Sequence, residues 1–217
     1  MPTRQEFFEE VYNHNLWGSN ESRSGQGSEL RSVATLRQEL PSMIRYLGVR
    51  SILDAPCGDY NWMQHMDLGD VHYIGGDIVP ELVETNQRTY GKSNREFVRL
   101  DLVSDSLPKV DLLFCRDCLI HFSLELIEET LENVRASGIE YVMLTHDNSL
   151  ARYAGIQFEN VDLARTQAGV NFEFRPLNFM LPPFSFPPPR YLINEGLHDN
   201  CKTMALWRTT DLATTIR

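Results

Sequence analysis

Apolar residues recur along the first 49 residues at the spacing expected for amphipathic helices. One set lies on a single helical face: Phe7, Phe8, Val11, Tyr12 and Leu16. A second set recurs at steps of three and four: Leu30, Val33, Leu36, Leu40, Met43, Ile44 and Leu47. Pro41 lies inside the second set, where it predicts a kink or a restart of the helix. Residues 17–28, between the two sets, are polar and contain several glycines. We therefore predict two helices joined by a polar loop.

From residue 50 the pattern changes to short apolar runs separated by helix-like stretches. The predicted strands are residues 51–55, 72–77, 96–100, 110–115 and 140–145. The predicted helices lie near residues 61–67, 80–90 and 123–135. Pro80 suits a first helical turn, and Ser123 suits an N-cap. Alternation of strands and helices is typical of right-handed βαβ units, so we predict an α/β domain with a mainly parallel, doubly wound sheet.

The last third of the chain is rich in proline and phenylalanine before two further strand-like runs. Residues 176–190 hold six prolines interleaved with Phe179, Phe184 and Phe186. Residues 191–194 and 203–207 read as strands joined by residues 195–202. They predict an antiparallel hairpin at the edge of the parallel sheet, which brings the predicted sheet to seven strands. We divide the single domain into N-terminal helices and a loop (residues 1–49) and a core (residues 50–217).

Composition and charge exclude several classes of protein. The 217 residues are 42% hydrophobic and 23% charged, which suits one globular core. The net charge of −10 argues against nucleic acid as the main partner, because phosphate binding needs a basic surface. No apolar run approaches the roughly 20 residues that span a bilayer. With four cysteines and no apolar signal-peptide core at the start, we expect reduced thiols and a cytoplasmic location.

The loop after the first predicted strand is the first place to look for a ligand site, because open α/β sheets bind ligands beyond the carboxyl ends of their strands. This loop has one glycine, Gly58, and Pro56 removes one backbone N–H. The carboxylates of Asp54 and Asp59 disfavour a phosphate and suit a cationic or hydroxyl-bearing ligand. Asp77, 23 residues after Asp54, ends the second strand, where a carboxylate can accept hydrogen bonds from ribose hydroxyls. The pattern indicates a nucleoside cofactor without phosphate.

At these residues the chain resembles the class I S-adenosylmethionine (SAM)-dependent methyltransferases. Residues 51–62 resemble the family's first motif, although glycines are missing at positions 56 and 60, and Asp77 stands where the family has its ribose-binding acid. Leu100-Asp101-Leu102 resembles the third motif, whose acid binds the adenine amino group, and residues 111–122 resemble the fourth strand and the loop at the catalytic edge. The resemblance implies a Rossmann-like fold, SAM as cofactor and these cofactor-binding residues: Trp17, Asp54, Ala55, Pro56, Gly58, Asp59, Trp62, Asp77, Ile78, Asp101, Leu102, Cys115 and Arg116.

A narrower resemblance rests on three short runs. These are the Trp-Gly, Glu-Ser and Ser-Gly pairs between Trp17 and Gly25, the run Asp54–Asp59, and the run Arg175-Pro176-Leu177-Asn178. They look like a bacterial-type subfamily associated with glycan and surface-polysaccharide genes. That resemblance implies O-methylation of a sugar hydroxyl in a cell-surface or capsule-type glycan or its precursor. Two alternatives stay open: a small-molecule N- or O-methyltransferase with a non-sugar acceptor, and a non-catalytic module with the same fold. An NAD(P)-linked oxidoreductase is disfavoured by Pro56 and Asp59.

Methylation of an alcohol requires loss of its proton, so a general base is expected at the ends of the fourth and fifth strands. Asp117, His121 and His146 are the candidates. If residues 117–121 are helical, Asp117 lies one turn from His121 and would orient it as the base. His146 is the competing base, although a lone histidine is more often structural. Arg116 suits either an ion pair or a hydrogen bond to a substrate hydroxyl.

Four other features have alternative interpretations. Cys115 and Cys118 form a C-x-x-C that could join Cys57 and Cys201 in a zinc site, but a second C-x-x-C is missing, so we predict ordinary thiols and no metal ligands. Magnesium dependence stays open, because Asp117, Asp147 and His146 could support it. Residues 17–28 form either a lid over the cofactor or an ordinary loop. Residues 181–190 form a polyproline ligand, an aromatic wall near the acceptor or a cover for the sheet edge.

Overall fold

The computed structural model describes residues 2–148, 159–163, 168–195 and 202–212. Its seven strands form one sheet in the order β3-β2-β1-β4-β5-β7-β6. They are β1 (Ser51–Asp54), β2 (His72–Asp77), β3 (Arg95–Arg99), β4 (Leu112–Cys115), β5 (Tyr141–Asp147), β6 (Tyr191–Asn194) and β7 (Lys202–Arg208). Strands β1 to β5 are parallel to their neighbours, whereas β7 is antiparallel to β5 and to β6. The predicted α/β sheet and its C-terminal hairpin are confirmed.

Four α-helices flank the sheet in the described part of the chain: α1 (Arg4–Asn13), α2 (Ala34–Leu47), α3 (Pro80–Tyr90) and α4 (Leu124–Ser137). A capping box between Thr3 and Glu6 begins α1, and the Ser123 hydroxyl accepts a hydrogen bond at the start of α4. Gly48 and Gly138 end α2 and α4 in the left-handed conformation that favours glycine. Local sequence signals therefore set both ends of the longer helices.

Strand side chains alternate between two apolar cores, one on each face of the sheet. Leu53 and Leu113 pack into the core that contains α4, whereas Ile52 and Leu112 pack into the core that contains α2 and α3. The chain moves from β1 to β3 on one side and then crosses to β4 on the other, so strand order reverses between β1 and β4. Such a reversal leaves a crevice at the carboxyl ends of these two strands. None of the described helices is both long and apolar enough to cross a membrane.

One predicted helix is wrong, and one of the two alternatives predicted at Pro41 does not occur. The helix predicted near residues 61–67 is only a 3-10 turn, Met63–His65. Tyr60 precedes it with a φ of 59°, and a right-handed helix cannot include that conformation. No restart occurs at Pro41, because α2 continues through it. The helix loses one hydrogen bond there, and the apolar face formed by Leu36, Leu40, Met43 and Ile44 stays buried along its length.

The phenylalanines of the proline-rich segment belong to the core. Phe179, Phe184 and Phe186 are buried and pack against one another and Trp207, whose indole N–H donates to the Pro187 carbonyl over 2.8 Å. Their burial leaves no aromatic wall for an acceptor. They cover β5 and β7 on the face of the sheet that carries α4, whereas Pro182, Pro183, Pro187 and Pro188 are exposed, so the polyproline interpretation stays open.

Candidate functional site

A cavity with about 950 Å³ of empty space, part of it open to solvent, lies at the carboxyl ends of β1 to β4. Its floor comes from the loop after β1 and the ends of β2, β3 and β4. Its cover comes from α1 and the loop that follows it. We call residues 17–28 the lid loop. The lining residues are Arg4, Phe8, Tyr12, Trp17, Arg23, Ser24, Ala55, Pro56, Cys57, Gly58, Gly76, Asp77, Ile78, Val79, Leu82, Leu100, Asp101, Leu102, Asp117, Cys118, His121 and Phe122.

The loop after β1 folds tightly without the two glycines that the family motif carries. Pro56 fills one position, and Tyr60 adopts a positive φ at the other. Gly58 has a φ of 55°, and a Cβ there would lie 2.2 Å from Ser24 Oγ of the lid loop. The contact with the lid loop therefore depends on the absence of a side chain at Gly58.

Asp77 ends β2 on the cavity wall with acceptor capacity to spare. Its Oδ1 accepts a hydrogen bond from the Val79 amide and its Oδ2 one from the Gly58 amide, both over 3.1 Å. The Ile78 amide also acts on this carboxylate, and an ionised carboxylate has about four acceptor positions, so at least one remains for a ligand. Burial raises the pKa of Asp77 to about 6, against the lowering effect of these amide donors. At neutral pH the group is mainly an anion that can accept hydrogen bonds from hydroxyls.

Asp54, predicted to bind the cofactor, does not line the cavity. It is buried at the end of β1, where the Tyr73 hydroxyl donates to its Oδ2 over 2.5 Å. Burial raises the pKa of Asp54 to about 7, so the proton is held far more tightly than on an exposed aspartate. In the free protein, Asp54 therefore lies beneath the floor of the site.

Asp101 lines the cavity but already has a cationic partner. Arg4 Nη2 of α1 donates to its Oδ2 over 2.7 Å, and the Val103 amide donates to its Oδ1 over 3.0 Å. Burial acts to raise the pKa of Asp101, but these donors outweigh burial and hold the pKa below its ordinary value. The ion pair fixes the first turn of α1 over the position where the resemblance expects an adenine amino group. Arg4 was not predicted as a lining residue.

Asp59 fastens the lid loop to the floor. Its carboxylate accepts hydrogen bonds from the Arg23 amide over 2.7 Å and the Ser22 hydroxyl over 3.0 Å, and its own amide donates to Ser24 Oγ over 3.0 Å. Asp59 does not line the cavity of the free protein, and its partner there is the lid loop. Trp17, the first residue of the lid loop, lines the cavity.

Arg116 belongs to a group of four charges that we call the charge cluster: Arg116, Asp117, Glu195 and Lys202. Arg116 and Glu195 are buried, and Asp117 and Lys202 are half-buried. The Arg116 guanidinium binds both Glu195 carboxylate oxygens over 2.8 and 2.9 Å and lies 3.2 Å from Asp117 Oδ2. Lys202 Nζ lies 2.5 Å from the same Asp117 oxygen and 3.2 Å from Glu195 Oε2. Arg116 also donates to the Gly27 carbonyl over 2.9 Å, so the cluster joins the lid loop to the hairpin.

Asp117 is on the cavity wall, but its contacts differ from the predicted pairing with His121. Its carboxylate binds Arg116, Lys202 and the Thr145 hydroxyl. Burial acts to raise the pKa of Asp117, but the two cations outweigh it and hold the pKa well below its ordinary value. A carboxylate so strongly favoured as an anion is a poor proton acceptor, and its φ of 51° shows that residues 117–121 do not begin as a helix.

His121 is held by the backbone. Its Nδ1 lies 3.2 Å from each of the carbonyl oxygens of Asn171 and Glu173. Carbonyl oxygens only accept, so Nδ1 carries the proton and Nε2 keeps its lone pair. Burial lowers the pKa of His121, which keeps the imidazole neutral near pH 7. The rings of Trp17 and Phe174 lie 5.8 and 6.2 Å from the imidazole, and Phe174 is 71% exposed.

His146, predicted as the competing base, does not reach the cavity. It is buried between Phe179 and Trp207, and its Nδ1 accepts a hydrogen bond from the Phe179 amide over 3.2 Å. Burial lowers the pKa of His146 to about 4. The side chain is a neutral core histidine, because β5 carries it into the aromatic cluster on the α4 face.

The cavity collects eight of the thirteen predicted cofactor residues: Trp17, Ala55, Pro56, Gly58, Asp77, Ile78, Asp101 and Leu102. The other five lie behind its walls or under the lid loop: Asp54, Asp59, Trp62, Cys115 and Arg116. Trp62 packs beneath the Arg116 guanidinium, 5.8 Å from it, and Cys115 is buried in β4. Sequence reasoning missed Arg4, Phe8 and Tyr12. Their helical spacing was visible, but the packing of α1 on the cavity was not.

Three described cysteines, Cys57, Cys115 and Cys118, are free and buried. Cys57 and Cys118 line the cavity. A hydrogen bond with Cys115, together with burial, raises the pKa of the Cys118 thiol, which disfavours a reactive thiolate. Cys201 lies outside the described residues. Among the residues that are described, no group of three or more His, Cys, Asp and Glu side chains is arranged to hold a metal ion.

No protein-family model matches the sequence, and no curated protein matches it. The structure is similar to human N-acetylserotonin methyltransferase in complex with SAM (TM-score 0.56, 16% identity, covering 96% of this chain and 60% of that one). It is also similar to Burkholderia thailandensis 1,6-didemethyltoxoflavin-N1-methyltransferase with S-adenosylhomocysteine (TM-score 0.58, 14% identity, 94% and 86% covered). A third similar structure is magnesium protoporphyrin IX methyltransferase from Synechocystis PCC 6803 with SAM (TM-score 0.52, 14% identity, 93% of both chains).

These similarities define the class of fold. The chain has the Rossmann-like fold of the class I SAM-dependent methyltransferases, as the sequence predicts. It spans about three fifths of the length of the human enzyme. Similarity at identities below 20% shows the fold alone, and evidence on the reaction comes from the residues of the cavity.

Proposed function

We propose that the cavity binds S-adenosylmethionine and that the protein transfers its methyl group to a hydroxyl of an acceptor. The observation that carries this proposal is Asp77, a buried carboxylate with free acceptor capacity on the wall of a cavity that has no phosphate-binding loop. A ribose offers two hydroxyl donors to such a group. The loop from Ala55 to Gly58 and the apolar side chains of Ile78, Leu100 and Leu102 complete a pocket suited to a nucleoside.

The donor set fits this cofactor with one adjustment. Asp77 would hold the ribose, and Trp17 and Tyr12 would cover the ligand from the lid loop and α1. Asp101 Oδ2 is engaged by Arg4, so an adenine amino group would compete with Arg4 for that oxygen. When bound, SAM supplies an electrophilic methyl group. The protein contributes a water-poor cavity and a group that accepts the proton of the acceptor.

His121 is the residue to which we assign this proton transfer. It lines the cavity, its imidazole is neutral, and Nε2 has the free lone pair. A neutral histidine in this tautomer can remove the proton of a hydroxyl as the oxygen is methylated. Asp117 remains ionised between Arg116 and Lys202, and its negative charge favours the imidazolium that forms.

We extend the proposal to a sugar hydroxyl as acceptor, in a cell-surface or capsule-type glycan or its precursor. Trp17 and Phe174 flank His121, and aromatic rings of this kind pack against the apolar faces of sugars. The net charge of −10 favours a small-molecule or glycan acceptor over nucleic acid. A cytoplasmic location, consistent with the free thiols of the described cysteines, belongs to the same proposal.

Calorimetric titration tests the cofactor. SAM, S-adenosylhomocysteine and NAD are titrated into wild type, Asp77→Asn and the surface control Asp70→Asn. We expect SAM and S-adenosylhomocysteine to bind wild type and the control alike, and to bind Asp77→Asn more weakly by about 1–3 kcal/mol because hydroxyl bonds are lost. Binding of NAD alone would overturn the proposal. Turnover on a panel of sugars that disappears in His121→Ala supports a hydroxyl acceptor, whereas turnover that survives on an amine contradicts it.

A further inference from the structure

Arg175 is a buried arginine whose side chain, among the described residues, donates only to backbone carbonyls. It is 5% exposed. Its Nε donates to the Val161 carbonyl over 2.9 Å, and its Nη1 donates to the carbonyls of Ile120 and Leu119 over 2.9 and 3.3 Å. Its Nη2 is buried with no hydrogen-bond partner. The guanidinium therefore joins the turn Leu119–His121 to the segment around Val161.

The same turn is joined along its backbone to residues 169–175. The Arg175 amide donates to the Ile120 carbonyl over 3.2 Å, and the Asn171 amide donates to the His121 carbonyl over 2.8 Å. The Ser123 amide donates to the Gly169 carbonyl over 2.8 Å. Residues 119–123 and 169–175 are thus two adjacent segments, and Arg175 fastens the end at which the histidine turn begins.

This arrangement controls His121 from outside the cavity. Asn171 and Glu173, whose carbonyls accept from Nδ1, lie in the segment that Arg175 fastens. We propose that Arg175 is a positioning residue that holds the turn Leu119–His121 against these two carbonyls, and so keeps the His121 proton on Nδ1 and the lone pair on Nε2. The proposal rests on the proposed function, in which Nε2 accepts the proton of the methyl acceptor.

In this role, His121 takes up the proton that the acceptor loses during methyl transfer. The acceptor O–H bond breaks and its proton forms a bond to Nε2, while the acceptor oxygen forms a bond to the methyl carbon and the sulfur–carbon bond breaks. The imidazolium later releases the proton to water. An imidazole with the proton on Nε2 could not accept it, so the tautomer decides whether His121 works.

The fork of an arginine is needed for this role. Nε and Nη1 point to carbonyls on different segments, whereas a lysine has a single nitrogen and cannot reach both. Two charged groups act on the imidazole: Asp117 raises the pKa of His121, and Arg175 lowers it. Arg175→Lys keeps a charge and removes the fork, and Arg175→Met removes both. Comparison of these two variants separates the effect of the positive charge from the effect of the hydrogen-bond geometry.

Nitrogen-15 NMR of the His121 imidazole tests the proposal directly in the free protein. Wild type is expected to show one tautomer, with the proton on Nδ1, and both Arg175 variants are expected to show a mixture. Arg190→Met is the matched control, because Arg190 is a surface arginine paired with Asp211. A wild-type proton on Nε2 would overturn the proposal even if neither Arg175 variant folded. A wild-type tautomer retained in Arg175→Lys and Arg175→Met would overturn it as well.

Kinetics provide the second readout. With an acceptor in hand, we expect Arg175→Met and Arg175→Lys to lower kcat by about 10- to 100-fold, within the range that general-base catalysis contributes, and to change KM for SAM by less than about 2-fold. In the pH profile of kcat, the acid limb should shift in Arg175→Met only. Arg175→Lys keeps the positive charge that lowers the pKa of His121, so its acid limb should stay in place. A fall in thermal stability with kcat unchanged contradicts the proposal. Failure of SAM to bind refutes the proposed function. The NMR experiment needs no SAM, so it tests the role of Arg175 independently of that outcome.

Discussion

Asp54 is a carboxyl group that the fold keeps away from water. The Tyr73 hydroxyl is its hydrogen-bond partner, and burial raises its pKa to about 7, whereas an exposed aspartate has a pKa near 4. A folded-state pKa above the unfolded one means that the folded protein binds the proton more tightly. Between about pH 4 and pH 7, raising the pH therefore lowers the free energy of unfolding that this group contributes.

Asp54→Asn should remove this loss of stability at rising pH. The amide oxygen can still accept from Tyr73, and the side chain no longer ionises. The free energy of unfolding of the variant minus that of wild type should rise between pH 4 and pH 8 by up to about 4 kcal/mol. Urea denaturation at several pH values measures the difference. A difference that is independent of pH would mean that Asp54 is ionised in the folded protein.

Asp111 provides a control of opposite sign. Burial acts to raise its pKa, but hydrogen bonds from the Arg50 and Ser51 amides outweigh burial and hold the pKa below its ordinary value. Its contribution to stability is present at neutral pH and is lost as the pH falls. Asp111→Asn should therefore lose more stability at neutral pH than at acid pH.

Several site residues could be predicted from the sequence because the apolar runs show where the strands end. The apolar runs located the ends of β1, β2 and β4, and with them Asp54, Asp77 and Asp117. Their partners could not be found in the same way. Tyr73 reaches Asp54, Lys202 reaches Asp117, and Arg4 reaches the further cavity residue Asp101. These partners come from other elements of the chain, and a linear pattern carries no record of how those elements pack.

The elements that cover the cavity are α1 and the lid loop. Phe8 and Tyr12 of α1 contact the cavity directly, and Asp59 holds the lid loop against the floor. Further bonds join these elements to the carboxyl edge of the sheet, among them the Arg4–Asp101 pair, the Arg116–Gly27 bond and the bonds from the Asn61 side-chain amide to Glu21 and to the Ser28 carbonyl. These contacts are polar and partly exposed, whereas the strands lie between two apolar cores, so we expect the cover to open more readily than the sheet unfolds.

Asp59→Ala should release the lid loop. Loss of the acceptor for the Arg23 amide should speed hydrogen exchange at residues 22–24 by at least about 10-fold and weaken binding of SAM. The matched control is Asp67→Ala, which removes a similar local acceptor, for the Gly69 amide, from an exposed loop outside the cavity lining. Equal exchange at residues 22–24 in Asp59→Ala and wild type would show that Asp59 does not hold the loop.

The strands and the long helices were predictable because their periodicity is strong and their ends carry caps and breakers. The helix near residues 61–67 was predicted wrongly for a physical reason. Tyr60, Trp62 and Met63 are all buried, and the positive φ of Tyr60 turns the chain into the core before a helical turn can form. The phenylalanines at 179, 184 and 186 could equally have lined a cavity, and only the position of Trp207 shows that they complete the core.

Across the whole molecule, the charge cluster joins three regions that are far apart in sequence. Arg116 follows β4, Glu195 and Lys202 belong to the hairpin, and Gly27 belongs to the lid loop. The four charges cancel, so each cation has an anion beside it. Breaking a buried pair leaves an uncompensated charge, which is more costly than the pair is favourable.

Glu195→Gln should therefore destabilise the protein by about 3–5 kcal/mol, because Arg116 stays buried without its bidentate partner. The control is Arg190→Met, which breaks the exposed pair with Asp211 and should cost about 1 kcal/mol or less. Chemical denaturation of both variants measures the difference. Similar losses for the two would show that the charge cluster is as weak as a surface ion pair.

The cover over the cavity also has a kinetic consequence. The cavity is partly open to solvent, and we expect a ligand as large as a nucleoside to enter after the Arg4–Asp101 pair and the bonds between Asp59 and the lid loop have separated. The rate at which the cavity fills would then stop rising at high ligand concentration and level off at the opening rate. Product would leave through the same opening, so the hydrogen bonds of Asp59 would set an upper limit on turnover.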